Sequence, residues 1–408
     1  MKLSLILASI LVLSTSSFAN DTSDIAELKQ QVKELQEMSQ TLIDETSDLK
    51  TGFNYTTVDT TKSFSGLGAA ASKIYYSKSP LSIGGYGEMY YSRTSQSDGT
   101  TSSKVDVYRF VPYIGYKFSD NIILNTELEF EHGGSKDNPE HDNGGYVIVE
   151  FMYLDFLINK NVNFRVGNLL VPMGLINERH EPTLFNTVQR PYTSKYLIPS
   201  TWHESGAMVF GNITENLSYK IAGVVALNPT DGGKKWLRKG RTGSLTKENP
   251  DLGGVLRVDY TGITGLLIGA STYSDADILM LDAHVDYKYD GARVYGVYSQ
   301  SSRSNVSASD GASGGFLNVS YDVLSTSSSE YSLPLFVQYE SVNPQSSVSG
   351  SGVSYNPVNT TTVGANFFPQ KQVVLKVDYA IQDNNFDEDT TISKISSKTL
   401  SVSMGFIF

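Results

Sequence analysis

From Val171 to Ser205 the chain reads "VPMGLINERHEPTLFNTVQRPYTSKYLIPSTWHES", which brings Arg179, His180, Glu181, Arg190 and Lys195 into one connection and ends on a second His-Glu pair, His203-Glu204. Adjacent imidazole and carboxylate groups are the materials of acid–base chemistry. A base without a nucleophile to activate performs no group transfer, however. No serine or threonine stands beside these pairs in a recognisable pattern, and the chain contains no Cys. No catalytic residue is assigned on this basis. What the segment can do is electrostatic, because charges held in a confined passage with low-dielectric walls decide which ions pass. If it folds into a lumen, those five residues stand near the narrowest point. If it caps the outside, they are rim residues. Connections this long without evident structure tend to be functional or disordered, and Leu184, Phe185, Tyr192, Tyr196, Leu197 and Trp202 give this one apolar surface to pack.

A second charged motif, "DGGKKWLRKGR", places Lys234, Lys235, Arg238, Lys239 and Arg241 within eight residues of another polar connection. Such an extracellular basic cluster would collect anions at a mouth or hold lipopolysaccharide phosphates; it reads equally as a solvated loop. "DNNFDED", Asp383 to Asp389, has oxygen ligands at alternate positions. It departs from a calcium loop, with Glu388 where Gly is needed and Lys394 in place of the bidentate Glu. No metal and no cofactor are expected.

These motifs need elements to hold them. The first nineteen residues form a secretory signal peptide, with Lys2, an apolar Leu3–Leu13 run and small residues at Ser17 and Ala19. Beyond it no run approaches the roughly 18–20 apolar residues of a spanning helix. A membrane-embedded chain of this kind must be a closed barrel, the other way to satisfy every backbone group in lipid. The composition agrees, with 25 Tyr, 35 Gly and only 39% hydrophobic residues. The formal charge of −11 becomes −12 without Lys2, which argues against a nucleic-acid partner.

Residues 20–50 have a different rhythm. Ile25, Leu28, Val32 and Leu35 follow a 3-4-3 seam continued by Leu42 and Leu49, with Ser39 and Thr46 as polar gaps. This predicts a helix about 40 Å long, either a short periplasmic coiled coil or an amphipathic helix lying on a surface. Residues 51–80 read as a Thr/Ser/Gly-rich linker.

From Leu81 to Phe408 sixteen strand-like segments can be marked, the better ones with strict period two. Asn125, Glu127, Glu129 and Glu131 oppose Ile122, Leu124, Leu128 and Phe130; Lys376 and Asp378 oppose Leu375, Val377 and Tyr379. Glu127, Glu129, Glu131, Arg165, Lys376 and Asp378 are therefore expected to face the lumen. Short turns such as Ser119-Asp120, Asn159–Asn161 and Asp290-Gly291 alternate with long loops near Thr94–Lys104, His132–Gly145, Pro172–Trp202, Asn228–Pro250 and Asp383–Lys394. Outer-membrane barrels share that asymmetry. Aromatic residues cluster beside the short turns, and the chain closes on "TLSVSMGFIF", an alternating strand that ends on Phe408. Such a strand needs lipid on one face and a neighbouring strand at its edge.

The stretch "FRVGNLLVPMGLINERHEPTLFNTVQRP" resembles the strand-then-loop region of the phosphate-selective porin O and P family, through Arg165, Gly167, Pro172 and Gly174. That resemblance implies a 16-stranded trimeric barrel over roughly residues 80–408 whose basic lumen residues conduct anions. The acidic stripe Glu127–Glu131 and the pair Asp282 and Asp286 stand against phosphate selectivity. The sequence thus predicts an all-β protein, a 16-stranded antiparallel transmembrane β-barrel with a short N-terminal α-helical coiled coil. Its expected role is passive diffusion of ions and small hydrophilic solutes across the bacterial outer membrane as a homotrimer in contact with lipid and lipopolysaccharide. Two alternatives stand beside it: a tether acting through the N-terminal helix, with cell-wall contact, and a barrel enzyme.

Overall fold

In the computed structural model the alternation along the sequence becomes alternation across a wall. The structure describes residues 29–42, 58–133, 145–228, 237–304, 310–347, 357–384 and 395–408. The strands are β1 (Leu81–Gln96), β2 (Thr101–Ser119), β3 (Ile122–Glu131), β4 (Val147–Leu157), β5 (Asn163–Leu170), β6 (His203–Thr214), β7 (Leu217–Val225) and β8 (Leu252–Tyr260). They continue as β9 (Leu266–Ser274), β10 (Ile278–Tyr289), β11 (Ala292–Arg303), β12 (Gly311–Asp322), β13 (Pro334–Ser347), β14 (Val358–Gln370), β15 (Val373–Asp383) and β16 (Ser397–Ile407). Each pairs antiparallel with its sequence neighbour, and β1 closes on β16 from Tyr86↔Ile407 to Gln96↔Ser397.

The wall sorts side chains as period two requires. On β15, Leu375, Val377, Tyr379 and Ile381 are exposed on the outer face, whereas Lys376 and Asp378 are buried. β10 does the same with Leu279 and Leu281 outside and Asp282, His284 and Asp286 inside. The last strand places Leu400, Val402 and Met404 outside, and Ile407, the residue that broke the terminal alternation, faces in. Phe408 completes the seam: its N–H donates to Gly85 O at 2.9 Å and its carbonyl accepts from Gly85 N at 3.0 Å. Tyr116, Phe118, Phe156, Tyr260, Tyr287 and Tyr289 form an exposed aromatic belt beside the short turns.

The loop rhythm is less regular than expected. The first of the long loops, near Thr94–Lys104, is a four-residue connection, 97–100, because β1 and β2 stay paired to Ser95↔Thr101. The β9–β10 connection, on the same side, is only 275–277.

With strands about 4.8 Å apart tilted near 40°, sixteen of them enclose a backbone radius of about 16 Å. Two segments fill much of that width. One is the stretch expected to be a linker, which from Val58 is folded against inward-facing side chains. Within it, helix α2 (Ala69–Tyr76, "AAASKIYY") buries Ala69, Ala70, Ala71 and Ile74. Three alanines favour the helix and let it lie close to the wall, where a Cβ on Gly115 would come within 2.6 Å of Ile74. The other segment is 171–202.

The N-terminal unit is a separate body whose described part is a helix, α1, over residues 29–42. Val32, Leu35, Met38 and Leu42 are exposed on it, and Lys33 faces Glu37 at 3.9 Å. The stretch expected to be a signal peptide and the seam positions Ile25, Leu28 and Leu49 lie outside the described residues.

Candidate functional site

The site is built by the 171–202 segment as it crosses the barrel interior. Its two ends are clasped together: Val171 N donates to Trp202 O at 2.9 Å. Asn177 Nδ2 donates to the carbonyls of Val171 and Trp202, and Asn177 Oδ1 accepts from Trp202 N. Trp202 is fully buried and packs edge-on against Tyr273. The Pro-x-Gly step turns the chain inward at Gly174, whose φ of +65° suits glycine. Gly174 N donates to Asp282 Oδ2 at 3.0 Å and its carbonyl accepts from Arg257 Nη1. Behind this turn His284 bridges Asp282 and Asp259, each at 2.8 Å.

From there the segment is pinned on several sides of the lumen. Arg179 reaches Asp286 at 3.2 Å, a carboxylate it shares with Arg293. Glu178 accepts from Lys220 of β7, which also donates to Ser65 O. His180 Nδ1 lies 2.7 Å from Asn177 O and Nε2 lies 3.2 Å from Glu127 Oε1. Burial, with Arg190 nearby, pushes this imidazole down to about 4 against the opposing pull of Glu150. Glu181 Oε1 accepts from Ala70 N and Ala71 N, so a carboxylate of the crossing segment caps α2. Further along, Lys376 donates to the carbonyls of Phe185 and Thr187, and Val188 N donates to Asp378. Arg190 Nη2 donates to His180 O at 3.1 Å. Glu340 of β13 accepts from Tyr192 N at 3.0 Å and Thr193 N at 2.7 Å. Lys195 lies in the π-helical turn that follows, with Nζ over the Tyr196 ring.

The five residues singled out in this segment therefore lie inside the barrel, but they do not form one cluster. Arg179 faces β10 and β11, His180 faces β3, and Lys195 lies in a turn packed against β11 and β12. All six expected lumen-facing residues point inward and are buried. They grip protein rather than lining a water column: Glu129 holds Arg109 at 3.2 Å, Lys376 and Asp378 hold the segment, and Arg165 holds Asp155 at 2.7 Å. Of the basic cluster, Arg241 donates to the carbonyls of Ser200 and Thr201 and Arg238 to Ser200 Oγ, so both close over the end of the segment. Lys234, Lys235 and the side chain of Lys239 lie outside the described residues, as does "DNNFDED" beyond Asn384. His203 Nδ1 donates to Thr201 O, and Glu204 accepts from Thr242 N and Gly243 N, so this pair holds backbone.

The residues missed by sequence reasoning are Glu150, Asp155, Asn177, Glu178 and Glu340. Asp155 was available as the one acid of "FMYLDFL", residues 151–157, at an inward position. Glu340 had a weaker signal, a lone carboxylate between strand positions.

On the short-turn side a cavity of about 1030 Å³ opens below the segment, lined by Arg179, Lys220, Asp259, Asp286, Lys288 and Phe64 among others. Its charges are unequal in reach. Among the lining residues Arg179 keeps 19% of its side chain exposed against 4% for its partner Asp286, while Lys220 keeps 4% against 10% for Asp259.

A closed 16-stranded barrel, apolar outside and charged inside, crossed by the connection after its fifth strand, is the fold of outer-membrane porins and channels. Solved structures agree. Pseudomonas putida OprB superposes with a TM-score of 0.55 over 81% of this chain and 94% of that one, at 9% identity. The outer membrane channel DcaP of Acinetobacter baumannii gives 0.54 over 81% and 99%, at 11% identity. Salmonella typhi OmpF, in a complex with daunomycin, gives 0.53 over 80% and 97%, at 11% identity. No protein-family model matches the chain. The chain belongs to the same family as an uncharacterized protein of Aquifex aeolicus (strain VF5), with 32% identity over 365 residues that cover 81% of this chain and 82% of that one.

The Gly167 position tests how firmly the start of the site is built. Its φ is +139°, and an added Cβ would stand 2.4 Å from Met152 O. Gly167→Ala is expected to cost roughly 1–3 kcal/mol, read as a lower urea midpoint of the refolded barrel.

Proposed function

We propose that the protein is an outer-membrane porin that lets ions and small hydrophilic solutes diffuse through its lumen, with a preference for anions. The observation that carries this reading is the closed barrel with charged inward faces, whose interior is narrowed by the 171–202 segment and by the 58–76 stretch with α2. The anion preference is supported by the cavity below that segment, where the Arg179 guanidinium is more accessible than the Asp286 carboxylate it pairs with and Lys288 adds a second cation. The resemblance to the phosphate-selective porin O and P family points to the same sign of charge. The exposed Val32, Leu35 and Leu42 stripe of α1 supports a periplasmic coiled coil that assists a homotrimer, and the aromatic belt supports contact with lipid at the membrane interface.

The test is single-channel recording of the refolded protein in a planar bilayer under a KCl gradient. The expected reversal potential favours chloride, and Arg179→Glu shifts it toward potassium. Added phosphate is expected to reduce chloride current if the basic groups bind it. A demonstrably folded barrel that gives no conducting steps would sink the porin reading; conduction with a potassium-favouring potential would remove only the anion preference.

A further inference from the structure

Glu127, Glu150 and His180 meet where the 171–202 segment passes the β3–β4 wall, and one potential ligand atom from each lies within 4.8 Å of the others. Glu150 owes its place to a bulge. Glu127 pairs with Phe151 and Leu128 with Val149, which leaves Glu150 as the extra residue of β4, turned inward beside Phe151. Bulges re-aim side chains in this way. The carboxylates are 0% exposed and the imidazole 2%.

Groups buried so deeply need partners. Glu127 Oε2 and both oxygens of Glu150 accept from no other residue, and the two carboxyl groups lie against each other. His180 meets the other Glu127 oxygen, Oε1, and none of these three. Its Nδ1 faces the carbonyl of Asn177, which can only accept, so Nδ1 carries a proton, and the singly protonated ring presents a lone pair on Nε2. That lone pair points toward Glu127 Oε1 at 3.2 Å. The nearby Arg109 is taken up by Glu88 at 2.9 Å and Glu129 at 3.2 Å. An imidazole nitrogen and two carboxyl groups thus converge with no donor among the protein groups around them beyond a proton shared between the carboxyls themselves.

We propose that Glu127, Glu150 and His180 bind one divalent transition-metal cation of the zinc type, which fastens the lumen-crossing segment to the barrel wall. The ligand set decides the class: imidazole with carboxylate suits zinc and its neighbours, whereas magnesium and calcium take oxygen shells. The outer layer is already in place. Asn177 fixes the His180 ring from behind and is itself held by the Val171–Trp202 clasp, the kind of support that orients metal-binding histidines. The cation would join β3 and β4 to the middle of the segment through coordinate bonds at a point where hydrogen bonds are lacking.

The experiment uses untagged full-length mature protein, stripped with chelator and then equilibrated with ZnCl2 in excess MgCl2 and CaCl2. Metal content after desalting is read by mass spectrometry and stability by thermal melting. The expected result is about one zinc per chain, a melting temperature raised by zinc and not by magnesium, and loss of both effects in E150Q. Should E150Q fail to fold, cobalt(II) absorption of the wild-type protein decides: visible d–d bands that zinc displaces support the site, and their absence overturns it. A folded wild-type barrel that retains no zinc overturns the proposal. So does equal zinc in wild type and a folded E150Q. If the wild type binds none and E150Q is more stable, the two carboxylates share a proton instead. None of these readouts depends on current, so the porin reading and this one fail separately.

Discussion

Replacing residues 183–198 with a short Gly/Ser linker is expected to raise single-channel conductance several-fold while leaving the barrel closed. The replaced stretch is the part of the segment that reaches the far wall. It carries Phe185, Val188, Leu197 and Ile198, all buried, and takes up Lys376, Asp378 and Glu340 through its backbone. The clasp at Val171, Asn177 and Trp202 and the side-chain contacts of Arg179, His180 and Glu181 remain outside the replacement, which removes the bond from Arg190 to His180 O at this end. Removing the stretch frees inward-facing charged groups to water and returns a large share of the cross-section to solvent. Current through a wide barrel is limited at its narrowest point, so removing that point changes conductance more than any single substitution. Folded channels with unchanged conductance would mean that the current path does not run past this stretch. A finer version separates width from mobility: Glu340→Gln weakens two N–H contacts without removing bulk, and is expected to add flicker to the open state rather than a larger mean current.

Much of the wall was legible because period two reports directly on which face a residue occupies. The acid stripe of β3, the apolar rows of β10 and β15 and the terminal strand all follow it. Ile407 looked like an exception and is an inward residue at the seam. Three things were less legible. Alternation tells inside from outside but not water from protein, so Lys376 and Arg165 were placed in the lumen with no sign that they hold a loop and a helix. The bulge at Glu150 shifts parity by one residue, and only the pairing of β3 with β4 shows it. The "AAASKIYY" helix is short and sits in a polar stretch, so composition suggested a linker; its burial depends on Asp155, Arg165 and Glu181, each far away in sequence. The chemistry of the 171–202 segment was legible in its residue types, and its path was not, because its anchors lie on ten different strands, β3 and β7 to β15.

Those distant anchors set the second large expectation: Arg165→Ala lowers barrel stability by about 3–5 kcal/mol. Arg165 is 1% exposed and Asp155 is not exposed at all. They form a two-pronged pair, Nε to Oδ1 at 2.7 Å and Nη2 to Oδ2 at 2.9 Å. Tyr75 of α2 donates to the same Asp155 Oδ2 at 2.6 Å, and the guanidinium lies 3.8 Å from the Tyr153 ring centroid. Truncating the arginine leaves a buried carboxylate with only a phenol to balance it, which is the costly case. Tyr75→Phe removes one charge-assisted hydrogen bond and should cost about 1.5–3 kcal/mol. The double replacement Arg165→Met with Asp155→Leu separates the causes, since an apolar pair of similar volume often stands in for a buried ion pair at little cost. Urea unfolding in detergent, followed by tryptophan fluorescence, reads all three. Recovery in the double variant would show that the single loss comes from the stranded charge. A loss of under about 1 kcal/mol for Arg165→Ala, the range of an exposed pair, would mean that water reaches the pair and that α2 does not seal this part of the lumen.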